Sequence, residues 1–152
     1  MLPKIRPMLQ NDIDQVYEIE KSTHRAPWGR DILSDCVLVG YDCRVLELTS
    51  NNSSKIIGYI ISRYSFNVCH ILNLCVSLAQ QGKGYGQLLL KSVLDPLSNN
   101  KAINTVILEV RPSNNAAIAL YEKFGFKQDS IKKGYYNDGE KLEDAILLKK
   151  ML

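Results

Sequence analysis

The run Thr105 to Val110 is apolar on both faces apart from Glu109. A strand without a polar face belongs in the middle of a sheet, with partners on both sides. The rest of the chain supplies them. Tyr41 to Leu48, Ile56 to Tyr64 and His70 to Val76 read as an antiparallel meander, joined by the polar patch Thr49-Ser50-Asn51-Asn52-Ser53-Ser54 and the turn Ser65-Phe66-Asn67. Ahead of it lie a short strand, Lys4 to Met8, and a helix from about Asn11 with Ile13, Val16, Tyr17 and Glu20 at helical spacing. Asp12 and Asp14 sit in the first turn of that helix, where its dipole favours negative charge. A second short helix is predicted from Gly29 to about Cys36.

The second half changes pattern. Leu88, Leu89, Leu90, Val93, Leu94 and Leu97 form an amphipathic helix pattern. Pro96 is expected to end it near Asp95 or to kink it, because the proline ring clashes with the carbonyl four residues back. Asn114 to Phe124 is a further helix, with Asn114 as N-cap, Gly125 just past its end and Phe126 as the accompanying hydrophobic contact. Phe126 to Leu152 reads as two strands around Asn137-Asp138-Gly139. The order β-α-α-β-β-β-α-β-α-β-β predicts an α+β fold with one mixed sheet.

Composition narrows the function classes. A chain of 152 residues has the length of one domain, residues 1–152. With 45% hydrophobic residues and a net charge of +3, it is not a disordered chain. So small an excess of charge argues against nucleic acid as the obligatory partner. No apolar run reaches the roughly 18 residues of a membrane span, and Met1 to Arg6 lacks the apolar stretch of a signal peptide. A soluble, cytoplasmic protein is expected. Cys36, Cys43, Cys69 and Cys75 show no C-x-x-C spacing, and His24 and His70 make no metal-ligand spacing with them or each other. The cysteines read as small buried apolar residues, and no metal is expected.

Four segments can carry chemistry. Gln81-Gly82-Lys83-Gly84-Tyr85-Gly86 lies between a strand and a helix, where glycines let the backbone approach a ligand and the helix-start amides suit an anion. It lacks the Gly-Lys-Ser/Thr ending of a Walker A loop and the spacing of a dinucleotide fingerprint. Glu109, next to Arg111, is either solvated at the sheet's rim or functional; partial burial would raise its pKa toward that of a useful base. Tyr121 shares a helix face with Ala117 and Phe124, and by itself reads as a core tyrosine. Trp28, Tyr135 and Tyr136, in loop-like contexts, either cap the sheet or wall a peptide groove.

Leu74 to Phe126 resembles the Gcn5-related N-acetyltransferase superfamily. Gln81, Gly84 and Gly86 match its pyrophosphate motif Q/R-x-x-G-x-G/A. Leu108-Glu109-Val110-Arg111 and the helix Asn114-Asn115-Ala116-Ala117-Ile118-Ala119-Leu120-Tyr121 are similar to the bacterial branch that acetylates the N-terminal alanine of small-subunit ribosomal protein eighteen. Ala26-Pro27-Trp28, Tyr135-Tyr136-Asn137 and Glu143-Asp144-Ala145-Ile146 extend the likeness over nearly the whole chain. Two departures stand out. Val76-Ser77-Leu78-Ala79-Gln80 lacks the family's proline and aromatic, and Gly82 replaces a common arginine, a loss for which Lys83 is the available compensation.

The resemblance implies a mostly antiparallel sheet flanked by about four helices, with the strands ending at Val76 and Val110 splayed around acetyl-CoA. It implies main-chain contacts from Leu74, Cys75 and Val76 to the pantetheine arm, with one amide supporting the oxyanion. Gly82, Lys83, Gly84, Tyr85, Gly86 and Gln87 would hold the pyrophosphate, and Asn114 would also touch the cofactor. The acceptor would be a protein N-terminal α-amine, without nucleic acid or membrane, bound against Trp28, Tyr135 and Tyr136. Glu109 becomes the base, directly or through a water, and Tyr121 the acid for the leaving thiolate. Cys75 lacks an activating partner, so direct transfer in a ternary complex is expected. The competing functions are lysine or small-amine acetylation, and a non-catalytic acyl-CoA-binding module.

Overall fold

The computed structural model describes residues 2–139 and 141–152; Met1, part of the N-terminal stretch discussed above, and Glu140 lie outside the described residues. The elements run β1 (Leu2–Pro7), α1 (Ile13–Thr23), α2 (Arg30–Leu38), β2 (Asp42–Ser50), β3 (Ser53–Ser65), β4 (Val68–Val76), α3 (Tyr85–Leu97), β5 (Thr105–Val110), α4 (Asn115–Lys123), β6 (Lys127–Asn137) and β7 (Leu142–Met151). Short 3₁₀ turns at Gln10–Asp12 and Leu78–Gln80 precede α1 and the glycine loop. The predicted element order holds; α1 starts two residues later than the spacing suggested, after the first of these turns.

One sheet carries the fold, in the order β1-β2-β3-β4-β5-β7-β6. Every neighbouring pair is antiparallel except β4 and β5. β5 is central, as its two-sided apolarity requires. Its Val106, Leu108 and Val110 enter the core beneath α3 and α4, together with Leu89, Leu90 and Val93. A second core on the other face joins Val16 and Ile19 of α1 and Leu33 of α2 to Val45, Tyr59, Ile61 and Cys75. The four cysteines are free and buried, matching their reading as small apolar residues.

The parallel pair is short. Val68 faces Thr105, Cys69 faces Val106 and His70 faces Ile107, and then the strands part. Two residues on, β4 bulges: Ile61 and Ser62 of β3 face Asn73 and Ile71, leaving Leu72 without a partner. A bulge bends its strand and reverses the alternation beyond it. Cys69 and Ile71 therefore point into the α3 core, whereas Asn73 reaches Glu20 of α1 and Cys75 joins the α1 core.

Pro96 neither stops α3 at Asp95 nor leaves a carbonyl unpaired; the helix continues to Leu97. The Ser92 carbonyl, which would take the missing amide, instead accepts a hydrogen bond from the Arg44 guanidinium on β2. Arg44 is itself held by Asp42 at 2.8 and 2.9 Å. A helical proline costs about 3 kcal/mol. Leu89, Leu90, Val93, Leu94 and Leu97 are all buried, each contributing roughly 1.5–3 kcal/mol, so packing outweighs the break. Replacing Arg44 with leucine removes the substitute donor. Urea unfolding of Arg44→Leu should show a loss of about 1–3 kcal/mol with an unchanged m-value.

Candidate active site

Where β4 and β5 part, the chain leaves a cleft of about 530 Å³. One wall is Leu74, Cys75 and Val76 of β4. Their opposite edge pairs with Ile60, Tyr59 and Gly58, so no strand pairs with the edge facing the cleft. The floor is the glycine loop with Gly82, Gly84, Tyr85 and Gly86 on its surface, and Asn114, Ala117 and Tyr121 close the far side. Gly82 and Gly84 have φ of +79° and +86°, and α3 begins directly at Tyr85. The Gln81 side chain donates to the Val76 carbonyl at 2.9 Å and ties the loop to the end of β4. Lys83 and Gln87 lie off the cleft lining: Lys83 reaches Gln80 at 3.1 Å and Gln87 accepts from Lys123 at 3.3 Å. A free strand edge leading to amides at a helix start suits an extended amide chain ending in an anion. The departing segment of the pyrophosphate motif thus supplies main chain, with the Lys83 ammonium turned elsewhere.

A second, smaller groove of about 290 Å³ lies on the α1 side of the same opening. Trp28, Tyr135, Tyr136 and Glu109 line it, so the three predicted aromatics do share one wall system with the predicted base. The two tyrosines belong to β6 and not to a loop. Adjacent strand residues normally point to opposite faces. Here the β6–β7 register slips between Lys132 and Tyr136, and both rings enter the groove edge to face, 5.0 Å apart. Arg111 fixes this corner: its guanidinium lies 4.2 Å from the Tyr136 ring and pairs with Asp138 at 2.8 Å and Glu143 at 3.1 Å.

The clefts meet at Tyr121, which lines both. Its position follows from the end of α4. Asn114 caps the start, accepting from the Ala117 amide at 3.2 Å. At the other end Gly125, with φ of +93°, lets the Phe126 amide return to the Tyr121 carbonyl at 3.1 Å and its own amide to Glu122 at 3.0 Å. This is the Schellman closure, and its hydrophobic contact is Phe126 edge-on to the Tyr121 ring at 5.7 Å. The Tyr121 ring is buried, yet among the described residues its hydroxyl has no hydrogen-bond partner. Burial pushes that hydroxyl well above the ordinary tyrosine range, so it stays protonated. The sequence alone favoured a core tyrosine; the ring is in the core and its hydroxyl is left for the cleft.

Glu109 departs from expectation. Burial does push its carboxyl up, but His70 Nε2 at 2.6 Å and Lys132 Nζ at 2.9 Å outweigh that and hold it at about 2. It is neither a solvated rim residue nor a carboxylate tuned upward.

Sequence reasoning missed a buried carboxylate beside the groove. Glu20, 1% exposed, accepts from the Tyr59 hydroxyl, from Asn73 at 2.7 Å and from the Trp28 amide at 3.0 Å, with His24 Nε2 at 3.3 Å. It pins the segment after α1 that carries Trp28 over the groove. The signal was present: Glu20 continues the apolar face Ile13, Val16, Tyr17 of its helix. His24 and Arg111, also unassigned, line both clefts.

The sequence model of the acetyltransferase (GNAT) family matches residues 13–126. The chain belongs to this family. It is 32% identical over 146 residues to the ribosomal protein bS18-alanine N-acetyltransferase of Haemophilus ducreyi, covering 95% of this chain and 97% of the relative. The Escherichia coli K12 enzyme of that name is 31% identical over 137 residues, covering 90% and 89%. The crystal structure of the Escherichia coli ribosomal-protein-S18-alanine N-acetyltransferase superposes with a TM-score of 0.86 at 31% identity, over 99% of this chain and 94% of that one. Arabidopsis thaliana NAA60, solved with acetyl-CoA, shares the fold with a TM-score of 0.88 at 18% identity, over 99% of both chains.

One further position shapes the β4 wall of the larger cleft. A Cβ on Gly58 would stand 2.9 Å from the Cys75 carbonyl oxygen and 3.1 Å from Leu89 Cδ1. Gly58→Ala should displace the end of β4 from β3, at a cost of about 1–3 kcal/mol. The check is a lower urea midpoint together with faster hydrogen exchange of the amides from Leu74 to Val76.

Proposed function

We propose that this chain transfers an acetyl group from acetyl-CoA to the N-terminal alanine of ribosomal protein bS18, by direct transfer in a ternary complex. The observation that carries the reading is the meeting of two grooves at Tyr121. One is suited to an extended amide chain with an anionic end, the other is walled by aromatics. The relatives that match over nearly their full length bear that enzyme name. Residues 1–152 act as one catalytic domain, and a ribosomal substrate puts the reaction in the cytoplasm, with neither nucleic acid nor membrane taking part.

Acetyl-CoA supplies an activated acyl group as a thioester. Leu74, Cys75 and Val76 pair their free main-chain groups with its pantetheine arm, and an amide there stabilises the carbonyl oxygen as it gains charge. The loop from Gly82 to Gln87, at the start of α3, holds the pyrophosphate through its amides, while Asn114 borders the cofactor. Trp28, Tyr135 and Tyr136 hold the peptide. The new N–C bond forms as the C–S bond breaks; the amine loses a proton and Tyr121 gives one to the departing sulfur.

Magnitudes decide how Glu109 takes part. An α-amine has a pKa of about 7.7–8.0. Storing its proton on a carboxyl that His70 and Lys132 hold well below the ordinary carboxylate range is strongly uphill. Glu109 therefore works through a water, orienting it and stabilising the charge that passes, while solvent receives the proton. Cys75 takes no covalent part: it is buried, and burial pushes its thiol up.

Mass spectrometry of N-terminal peptides incubated with acetyl-CoA should show acetyl on the α-amine of an alanine peptide. Acetyl on a lysine side chain instead would support the superfamily alternative, and none on any amine the non-catalytic one. Tyr121→Phe should lower kcat by about 10²–10⁴-fold with acetyl-CoA affinity retained; turnover equal to wild type removes Tyr121 from the mechanism. Glu109→Gln should lower kcat and alter its pH dependence, and an unchanged rate and profile would exclude Glu109 as the base.

A further inference from the structure

His70 occupies a position that no motif marks. It is the last β4 residue paired with β5 before the strands part. Its Nε2 lies 2.6 Å from one Glu109 oxygen, and Lys132 Nζ lies 2.9 Å from the other. At 2.6 Å from a carboxylate, Nε2 has to carry the hydrogen and donate it. The pair spans two surfaces: Glu109 borders the acceptor groove, while His70 also lines a separate hollow with Arg63 and Phe66. The charged and titratable groups around it are Glu109 on β5, Lys132 and Tyr135 on β6, and Arg63, which faces His70 across β3.

An imidazole and an ammonium thus share one carboxylate. Imidazole is the side-chain type that changes charge around neutral pH, whereas an ammonium ordinarily does not. We propose that His70 is a positioning residue for the deprotonation step: its Nε2–H bond aims Glu109 at the acceptor groove, and loss of its positive charge is what lets Glu109 assist proton removal. This rests on the reading of Glu109 given above. The proton leaves the amine nitrogen through a water beside Glu109 and ends in solvent. His70 keeps its Nε2–H throughout and changes only the field at the carboxylate. Positive charge on either partner holds the carboxylate down. Without it on His70, the carboxylate stabilises more strongly the proton that passes through the water.

The experiment compares kcat/KM of wild type, His70→Gln, Lys132→Met and Glu109→Gln on one alanine peptide between about pH 6 and 8.5. The variant-to-wild-type ratio cancels titration of the peptide amine. Glutamine keeps a donor but never becomes positive, so the His70→Gln ratio should rise by at least about threefold from the alkaline to the acid end. Lys132→Met removes a charge of the other type, and its ratio should stay flat. A flat ratio for His70→Gln, with Glu109→Gln inactive, overturns the proposal and leaves the base reading standing. Wild-type behaviour of Glu109→Gln at every pH overturns both. Should His70→Gln fail to fold, ¹⁵N imidazole spectra of the wild type decide. No change of His70 charge between about pH 5.5 and 8.5 overturns the proposal; a change there that moves in Glu109→Gln supports it.

Discussion

The pairing of β4 with β5 lasts three residues, and the site depends on its ending there. Parallel strands that stayed together would satisfy each other's main chain and leave no edge for a ligand. Because β4 bulges at Leu72 and turns away, the backbone from Leu74 to Val76 keeps one edge free while the other stays fixed to β3. A free edge is costly when dry and useful when a ligand can occupy it. The same bend carries Asn73 round to Glu20, so the feature that opens the cleft also anchors the wall of the smaller groove.

Two buried carboxylates flank that opening and are held differently. Glu20 receives hydrogen bonds from a hydroxyl, a side-chain amide and a backbone amide, with His24 nearby. Glu109 receives its bonds from His70 and Lys132. Three neutral donors satisfy oxygens without cancelling charge, whereas cationic partners both satisfy and neutralise. Glu20 accordingly reads as an anchor for Trp28, with its oxygens committed to structure. Glu109 has its basicity set by its neighbours, and that is a property a catalytic group can use.

What the sequence revealed was local. The cap at Asn114, the closure at Gly125 and Phe126, the centrality of β5 and the glycine loop each depend on residues close together in the chain, and each was legible. Contacts that depend on register were not. Arg44 meets the Ser92 carbonyl across 48 residues, His70 meets Glu109 across 39, and Asn73 meets Glu20 across 53. Nothing in the run His70-Ile71-Leu72-Asn73 marks the bulge, because apolar residues on both faces of a central strand hide a reversal of alternation. That is why the expected rise in the Glu109 pKa failed: burial was readable from β5 alone, and the cations that overcome it come from β4 and β6. The adjacent tyrosines Tyr135 and Tyr136 line one groove, and the register slip that permits it was not visible.

Net charge misleads in the same way. The chain has an excess of only +3, and that figure does not say where positive charge faces a ligand. Arg6 is tied to Asp12 and Glu47, Arg44 to Asp42, and Lys132 to Glu109. The two arginines lining the larger cleft, Arg25 and Arg111, both face Asp138 and Glu143. The arginines that line that cleft are therefore committed to carboxylates before any ligand arrives. A polyanion in that cleft has to be held by main-chain amides where α3 begins, and these are present whatever the pH or the surface charge. Lys83, the natural compensating charge by sequence, is turned toward Gln80, and the glycines around it leave the backbone uncovered at the cleft.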